Sequence, residues 1–361
     1  MKSSLRAISR RVRSREARRL TRASHVQPRV QVLLVNNTST NENAAQYDPK
    51  QSGRRDHPAD QLLDRMDAPC SAQVGSHAYH AQPWIDIDSN LNDIGSCAEY
   101  AVEIYENLRV SERQRRPLCS YMESVQTDVN PAMRSILVDW LVEVGLEYRL
   151  SSDTLFMTVA FIDRLLSLKD LKRNKLQLVG ITSMLVASKY EEIYAPQVEE
   201  FCFITDNTYN KEEVLNMEKD LLRLLEFDLT QPNTKTFLRR YIKAASAEIS
   251  LDVVFEFLVS YLAELTLMDY SLLKFLPSQI AASCIVLGLF LLDKPVWSGT
   301  LTHYSSYVPG DLKECVEAIH QLFLHAKTSQ LPASREKYAS PKYGSVSLLQ
   351  APATLPDALF E

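Results

Sequence analysis

The residues of this chain best placed to do chemistry are charges on helix faces that should be apolar. In PAMRSILVDWLVEVGLEY, residues 131–148, apolar residues recur at helical spacing around Leu137, Val138, Leu141, Gly145 and Tyr148. Arg134 falls at the centre of that arc and needs a carboxylate to offset its burial. In SDTLFMTVAFIDRLLS, residues 152–167, Asp163 falls on the apolar side beside Phe156 and Val159. The two faces predict a buried Arg134–Asp163 pair with a structural rather than catalytic role. Met133, Ile136 and Trp140 lie at the edge of the arc, interleaved with Asp139, Glu143 and Glu147. That edge predicts an exposed apolar strip rimmed by acid; the competing reading packs Trp140 against a neighbouring helix.

Catalytic constellations are missing. The seven histidines are dispersed, and no Ser/His/Asp, Cys/His or paired-acid arrangement sits at a suggestive spacing. Cysteines 70, 97, 119, 202, 284 and 315 form no C-x-x-C pair and no metal-ligand spacing with histidine, so neither a metal nor another cofactor is expected. Their scatter fits reduced thiols in a cytosolic or nuclear protein. The longest apolar run, residues 280–292, is too short to span a bilayer.

Charge is uneven along the 361 residues. Residues 1–60 hold 13 Lys and Arg against 5 Asp and Glu, whereas the remainder is net −13. An acidic body argues against direct nucleic-acid binding and favours partners with basic surfaces. The opening MKSSLRAISRRVRSREARRL is compatible with an organellar presequence, a nuclear-import signal or a basic disordered arm. Residues 1–96 as a whole are expected to be a disordered regulatory segment.

From residue 97 the periodicity is helical throughout, with no convincing strand. Helices are expected at 97–108, 131–148, 152–168, 174–190, 196–203 and 211–225. A second series is expected at 234–245, 250–266, 276–291, 298–305 and 311–326. The two series read as copies. LQLVGITSMLVASKY (176–190) lies on LPSQIAASCIVLGLF (276–290) at an offset of 100, and YNKEEVLNMEKDLLRLL (209–225) on YVPGDLKECVEAIHQLF (307–323) at an offset of 98. The expected organisation is therefore an N-terminal helix and connector over 97–130, five-helix domains over 131–230 and 231–330, and a tail over 331–361.

The copies differ at two informative positions. Lys189 corresponds to Leu289, and Glu218 to Val316. In each case the first copy carries a charge where the second carries a core residue. The mismatch suggests a polar surface site on the first domain alone, built from the ends of its third and fifth helices. Alternatively, Lys189 merely complements a helix C-terminus, and Glu218 is solvated among Glu212, Glu213 and Lys219.

These stretches resemble a known family. MRSILVDWLVEVGLEYRL, KLQLVGITSMLVASKYEEIYAP and FITDNTYNKEEVLNMEKDLL are similar to the first cyclin box of A-type cyclins, and the likeness runs through REKYASPKYGSVSLLQAPATL at 335–355. FLRRY at 237–241 resembles plant or algal members. The resemblance implies an all-α protein of two tandem cyclin boxes. It would be a non-catalytic regulatory subunit of a cyclin-dependent serine/threonine kinase, acting between S phase and mitosis in the nucleus, with cytoplasm. It assigns kinase contact to Lys189 and Glu218, surrounded by Tyr190, Glu191, Glu192, Ile193, Leu222 and Phe227, with Tyr100, Glu103 and Ile104 on the preceding helix. Asn107 stands where relatives often carry an aromatic residue, and is left out. By the same resemblance Met133, Ile136, Leu137, Trp140, Leu176 and Gln177 form a groove for Arg-x-Leu-type motifs, with Glu143 taking the cation. The family's degradation by ubiquitin ligases implies an Arg-x-x-Leu signal near the N-terminus; none occurs before residue 97.

Two other classes compete. A B-type transcription initiation factor duplicates the same helical unit, but it calls for a zinc ribbon and a basic body, which the cysteine spacing and the net −13 oppose. An all-α enzyme lacks a catalytic constellation.

Overall fold

The computed structural model describes residues 84–89 and 97–361. The basic opening and its three readings therefore lie outside the described residues. Among those described there is no strand, and thirteen α-helices form in the order α1 Ala101–Gln114, α2 Tyr121–Ser124, α3 Pro131–Glu147, α4 Ser152–Leu168, α5 Leu176–Glu191, α6 Val198–Ile204 and α7 Lys211–Leu224. The series continues with α8 Thr234–Glu248, α9 Val253–Thr266, α10 Pro277–Leu291, α11 Gly299–Ser305, α12 Pro309–Ala326 and α13 Ala333–Ala339. Local chemistry sets many of the starts. The Asn130 side chain accepts the Met133 N–H at 3.0 Å ahead of Pro131, Ser151 caps α4, and Asn210 with Glu213 forms a capping box on α7.

The duplication is visible in the packing. In the first unit (α3–α7), α5 is buried from Leu178 to Ser188 and is wrapped by α3, α4, α6 and α7. In the second (α8–α12), α10 plays the same part against α8, α9 and α12. Both central helices are apolar all round because neighbours surround them. Gly288 makes one of these approaches close: an added Cβ would stand 2.5 Å from Val259 Cγ1.

Arg134 lies on the core face of α3 and meets Asp163 of α4. The two are 1% and 2% exposed, with Nε on Oδ1 at 2.6 Å and Nη2 on Oδ2 at 2.7 Å. Nη1 donates to the Leu267 carbonyl at 2.8 Å, so the pair also ties the first unit to the chain leaving α9. Burial works against the arginine's charge, but Asp163 and the Tyr121 hydroxyl together outweigh it and raise its pKa.

The structure departs from expectation at several places. The first long helix runs 101–114 rather than 97–108, because Ser111 and Glu112 in its last turn are buried. The Glu112 carboxylate accepts the Ser278 N–H (2.9 Å) and hydroxyl (2.7 Å) at the start of α10. The short helices α2 and α13 were not expected. Asp139 is no rim acid: it is buried, accepting the Ala333 N–H at 2.9 Å, so α13 packs on α3. Finally, residues 84–89, expected within the disordered segment, are seated against α11 and α8.

Candidate functional site

The two repeat mismatches meet in space. Lys189 Nζ, in the last turn of α5, lies 2.6 Å from Glu218 Oε1 on α7. The lysine side chain is 50% exposed and the glutamate 13%, whereas Leu289 and Val316 at the corresponding positions are 1% and 0% exposed. The pair is thus a surface feature of the first unit that the second has replaced with core. An ion pair this open contributes little to folding.

Large apolar side chains are exposed on the segments that follow the two helices carrying the pair. Tyr190 follows Lys189 on α5, and Ile193 stands on the loop after that helix, 91% exposed. Phe227 is also exposed, in a left-handed backbone conformation (φ 58°) next to Glu226 (φ 53°). Two successive non-glycine residues held there are uncommon, and such strain persists only where surrounding contacts impose it. Arg115 of α1 pairs with Asp228 at 2.7 Å and also donates to the Thr230 carbonyl, Arg164 donates to the Asp228 carbonyl at 2.7 Å, and Tyr190 OH meets Thr230 Oγ1 at 3.0 Å. These contacts hold the turn that presents Phe227. Leu222 is half-buried against the first core.

The two acids after Tyr190 differ. Glu191 is exposed, and partial burial, followed by the neighbouring Asp153, raises its pKa. Glu192 instead accepts the Ser151 N–H at 2.7 Å and the Thr154 hydroxyl at 2.5 Å, so it secures the start of α4. Tyr100, which caps α1, and Glu103 and Ile104 on α1 are exposed and line one open concavity of about 480 Å³ with Asn107 and Leu108. Asn107, set aside on sequence grounds, thus shares their surface. Sequence reasoning also missed Tyr194 (92% exposed) and Val102 (60% exposed). Tyr194 lies inside the EEIYAP stretch already singled out, so only its exposure was hidden.

The expected apolar strip on α3 is largely closed. Leu137, Trp140 and Leu176 are buried, whereas Met133, Ile136, Glu143 and Gln177 are half-buried. Trp140 therefore packs inward, correcting the exposed strip predicted by its own helix alone. The indole Nε1 and the Gln177 Nε2 are nevertheless buried donors with no hydrogen-bond partner among the described residues. Unmet buried donors cost roughly 1–3 kcal/mol each, so an acceptor supplied from outside would be favoured there. Among the described residues, no group of three or more His, Cys, Asp or Glu could hold a metal ion, and no helix is long and apolar enough to cross a membrane.

The doubled five-helix unit with a charged patch on one copy defines a helical protein built from two copies of one domain. Comparison with known proteins gives it a family. The Cyclin, N-terminal domain family matches residues 103–230 and the Cyclin, C-terminal domain family residues 232–352; the chain belongs to the cyclins. It is 52% identical to Cyclin-A2-2 of Arabidopsis thaliana over 271 residues, covering 74% of this chain and 62% of that one. It is 49% identical to Cyclin-A1-1 of Oryza sativa subsp. japonica over 278 residues, covering 76% and 55%. The chain thus spans a little over half the length of these relatives. The fold is shared with a viral cyclin from herpesvirus saimiri, at a TM-score of 0.54 and 21% identity over 60% of this chain and 95% of that one.

Proposed function

We propose that this protein binds and activates a cyclin-dependent serine/threonine kinase, with no catalysis of its own. The observation that carries the reading is the Lys189–Glu218 pair, its lysine half exposed and Tyr190, Ile193 and Phe227 exposed on the adjoining segments, where the second unit has Leu289 and Val316. A charged pair amid exposed aromatic and aliphatic side chains suits a protein interface with a few strong anchors. Glu191, Leu222, Tyr100 at the cap of α1, and Glu103 and Ile104 on that helix extend the surface; Glu192 supports it by holding α4 in place. Docked there, the kinase's own C helix would turn its glutamate toward the lysine that orients ATP phosphates, and the activation loop would follow. Activation of this kind is a population shift driven by tighter binding to the active state.

Substrate recruitment falls to the groove on α3 and α5. The half-buried Met133 and Ile136, backed by the buried Leu137 and Leu176, offer an apolar edge for the leucine of an Arg-x-Leu-type motif, and Glu143 offers a carboxylate for its cation. The unmet donors of Trp140 and Gln177 suit the backbone carbonyls of an extended peptide. The reading places the protein in the nucleus and cytoplasm between S phase and mitosis, with turnover by a ubiquitin ligase. The direct experiment is affinity purification of the full chain from cycling cells, with histone phosphorylation as the readout. A kinase that co-purifies and depends on this chain for activity supports the reading; a chain that recovers no kinase refutes it.

A further inference from the structure

We infer that residues 84–89 are a strap that fixes α1 on the second unit, and that Asp88 is a positioning residue for the kinase-facing side of α1. The sequence WIDIDS alternates apolar and acidic residues, the pattern of an extended segment with two faces. The structure uses both faces. Trp84 stacks flat on His303, with ring centroids 3.8 Å apart and planes 3° from parallel. The Ile85 N–H donates to Thr300 Oγ1 at 2.9 Å, the Ile87 N–H donates to Tyr304 OH at 3.0 Å, and the Ile87 side chain is buried in the core of the second unit.

The acidic face reaches Arg240 on α8. Both carboxylate oxygens of Asp88 accept from its two terminal nitrogens, and the side chains are 10% and 7% exposed. A forked pair of this kind fixes the plane of the guanidinium as well as its position. That plane matters because Arg240 lies between two rings: its central carbon is 4.3 Å from the Tyr105 centroid and 4.7 Å from that of Tyr304. Tyr105 belongs to α1, next in sequence to Ile104 and two residues from Glu103. A continuous path therefore runs from Asp88 through Arg240 and Tyr105 to the face of α1 assigned above to the kinase. With Asp88 neutral, Arg240 loses its orienting partner, and Tyr105 loses the fixed cation it rests on. The last turn of α1 has its own anchor in Glu112, so the first two turns are the part the strap controls.

The consequence for kinase binding rests on the function proposed above; the consequence for α1 does not, and the test separates them. Full-length wild type, Asp88→Asn, Tyr105→Leu and the double variant are compared by amide hydrogen exchange without partner and by kinase affinity. Asparagine keeps the size of the aspartate and removes its charge. The inference predicts that Asp88→Asn speeds exchange across residues 101–108 at least about tenfold, while α9 and α10 keep their protection. It also predicts a kinase Kd weakened about tenfold, equivalent to about 1.4 kcal/mol. In the Tyr105→Leu background the same change should weaken binding less than about twofold, since both substitutions break one path. Unchanged exchange over 101–108 overturns the strap. Raised exchange with unaltered kinase affinity, or equal and additive losses in the cycle, overturns the positioning role. If the wild type binds no kinase, the proposed function fails, and the exchange data alone decide the strap.

Discussion

Asp163→Ala would leave Arg134 as a cation 1% exposed, with its Nε and Nη2 protons facing no acceptor. It would also strip Tyr121 OH of the carboxylate oxygen it donates to at 2.9 Å. The Leu267 carbonyl, at 2.8 Å, and the neutral Tyr121 hydroxyl would remain to the guanidinium. Removing one partner of so buried a pair costs about 3–5 kcal/mol, because the charge left behind cannot recover its hydration. For a folded body of this size that corresponds to a fall in Tm of roughly 6–20 °C. Arg134→Met combined with Asp163→Leu removes the stranded charge, so the double variant should regain part of the loss. Full recovery is not expected, since the Leu267 carbonyl and Tyr121 hydroxyl then lack partners, at about 1–3 kcal/mol each. Thermal melts followed by circular dichroism, together with urea titrations, give the numbers. A single variant that loses less than about 1 kcal/mol, or a double variant as damaged as the sum of its parts, would refute the buried-pair reasoning.

Gly288→Ala places a methyl 2.5 Å from Val259 Cγ1 and should cost about 1–3 kcal/mol by forcing α9 and α10 apart, read from the urea midpoint. His320 is buried with Nε2 2.9 Å from the Pro352 carbonyl, and burial holds its pKa below the usual value, with that carbonyl acting in the opposite sense. A depressed imidazole contributes stability that is complete above the unfolded pKa of about 6.5 and is lost as pH falls through the lower folded value. Proteolysis of residues 345–355 should therefore quicken on acidification from pH ~7.5 to ~5.5, and His320→Leu should flatten that dependence. Trp140→Phe deletes a buried donor that has no partner, so stability should change by less than about 1 kcal/mol, whereas affinity for an Arg-x-Leu peptide, measured by fluorescence anisotropy, should fall about three- to tenfold.

Much of the fold could be read from periodicity and caps, because an amphipathic helix declares its buried face in its own residues. Asn130-Pro131, Ser151 and Asn210 mark starts that the structure keeps. The Arg134–Asp163 pair was legible for a related reason: a charge on an otherwise apolar arc must be matched, and the choice of partners is small. The strip on α3 misled because a helical wheel contains nothing from other helices. Trp140 and Asp139 are buried partly by chain that is remote in sequence, Ala333 among it. The seating of Ile85 and Ile87 was hidden likewise, since its partners Thr300 and Tyr304 lie more than two hundred residues away. Comparing the two repeats did what a single wheel could not. The second copy is an internal reference against which Lys189 and Glu218 stand out in the sequence, and the two side chains meet at 2.6 Å.

The central claim is that the open ion pair of the first unit is the seat of a kinase. It is tested most directly by giving that unit the residues of the second, as Lys189→Leu with Glu218→Val in the full chain. The pair is open enough that its loss should alter stability by less than about 1 kcal/mol. Two interface anchors of this kind typically carry about 2 kcal/mol or more each, so the Kd for the kinase should weaken at least about a hundredfold. A folded variant that binds and activates the kinase as well as the wild type would contradict the account.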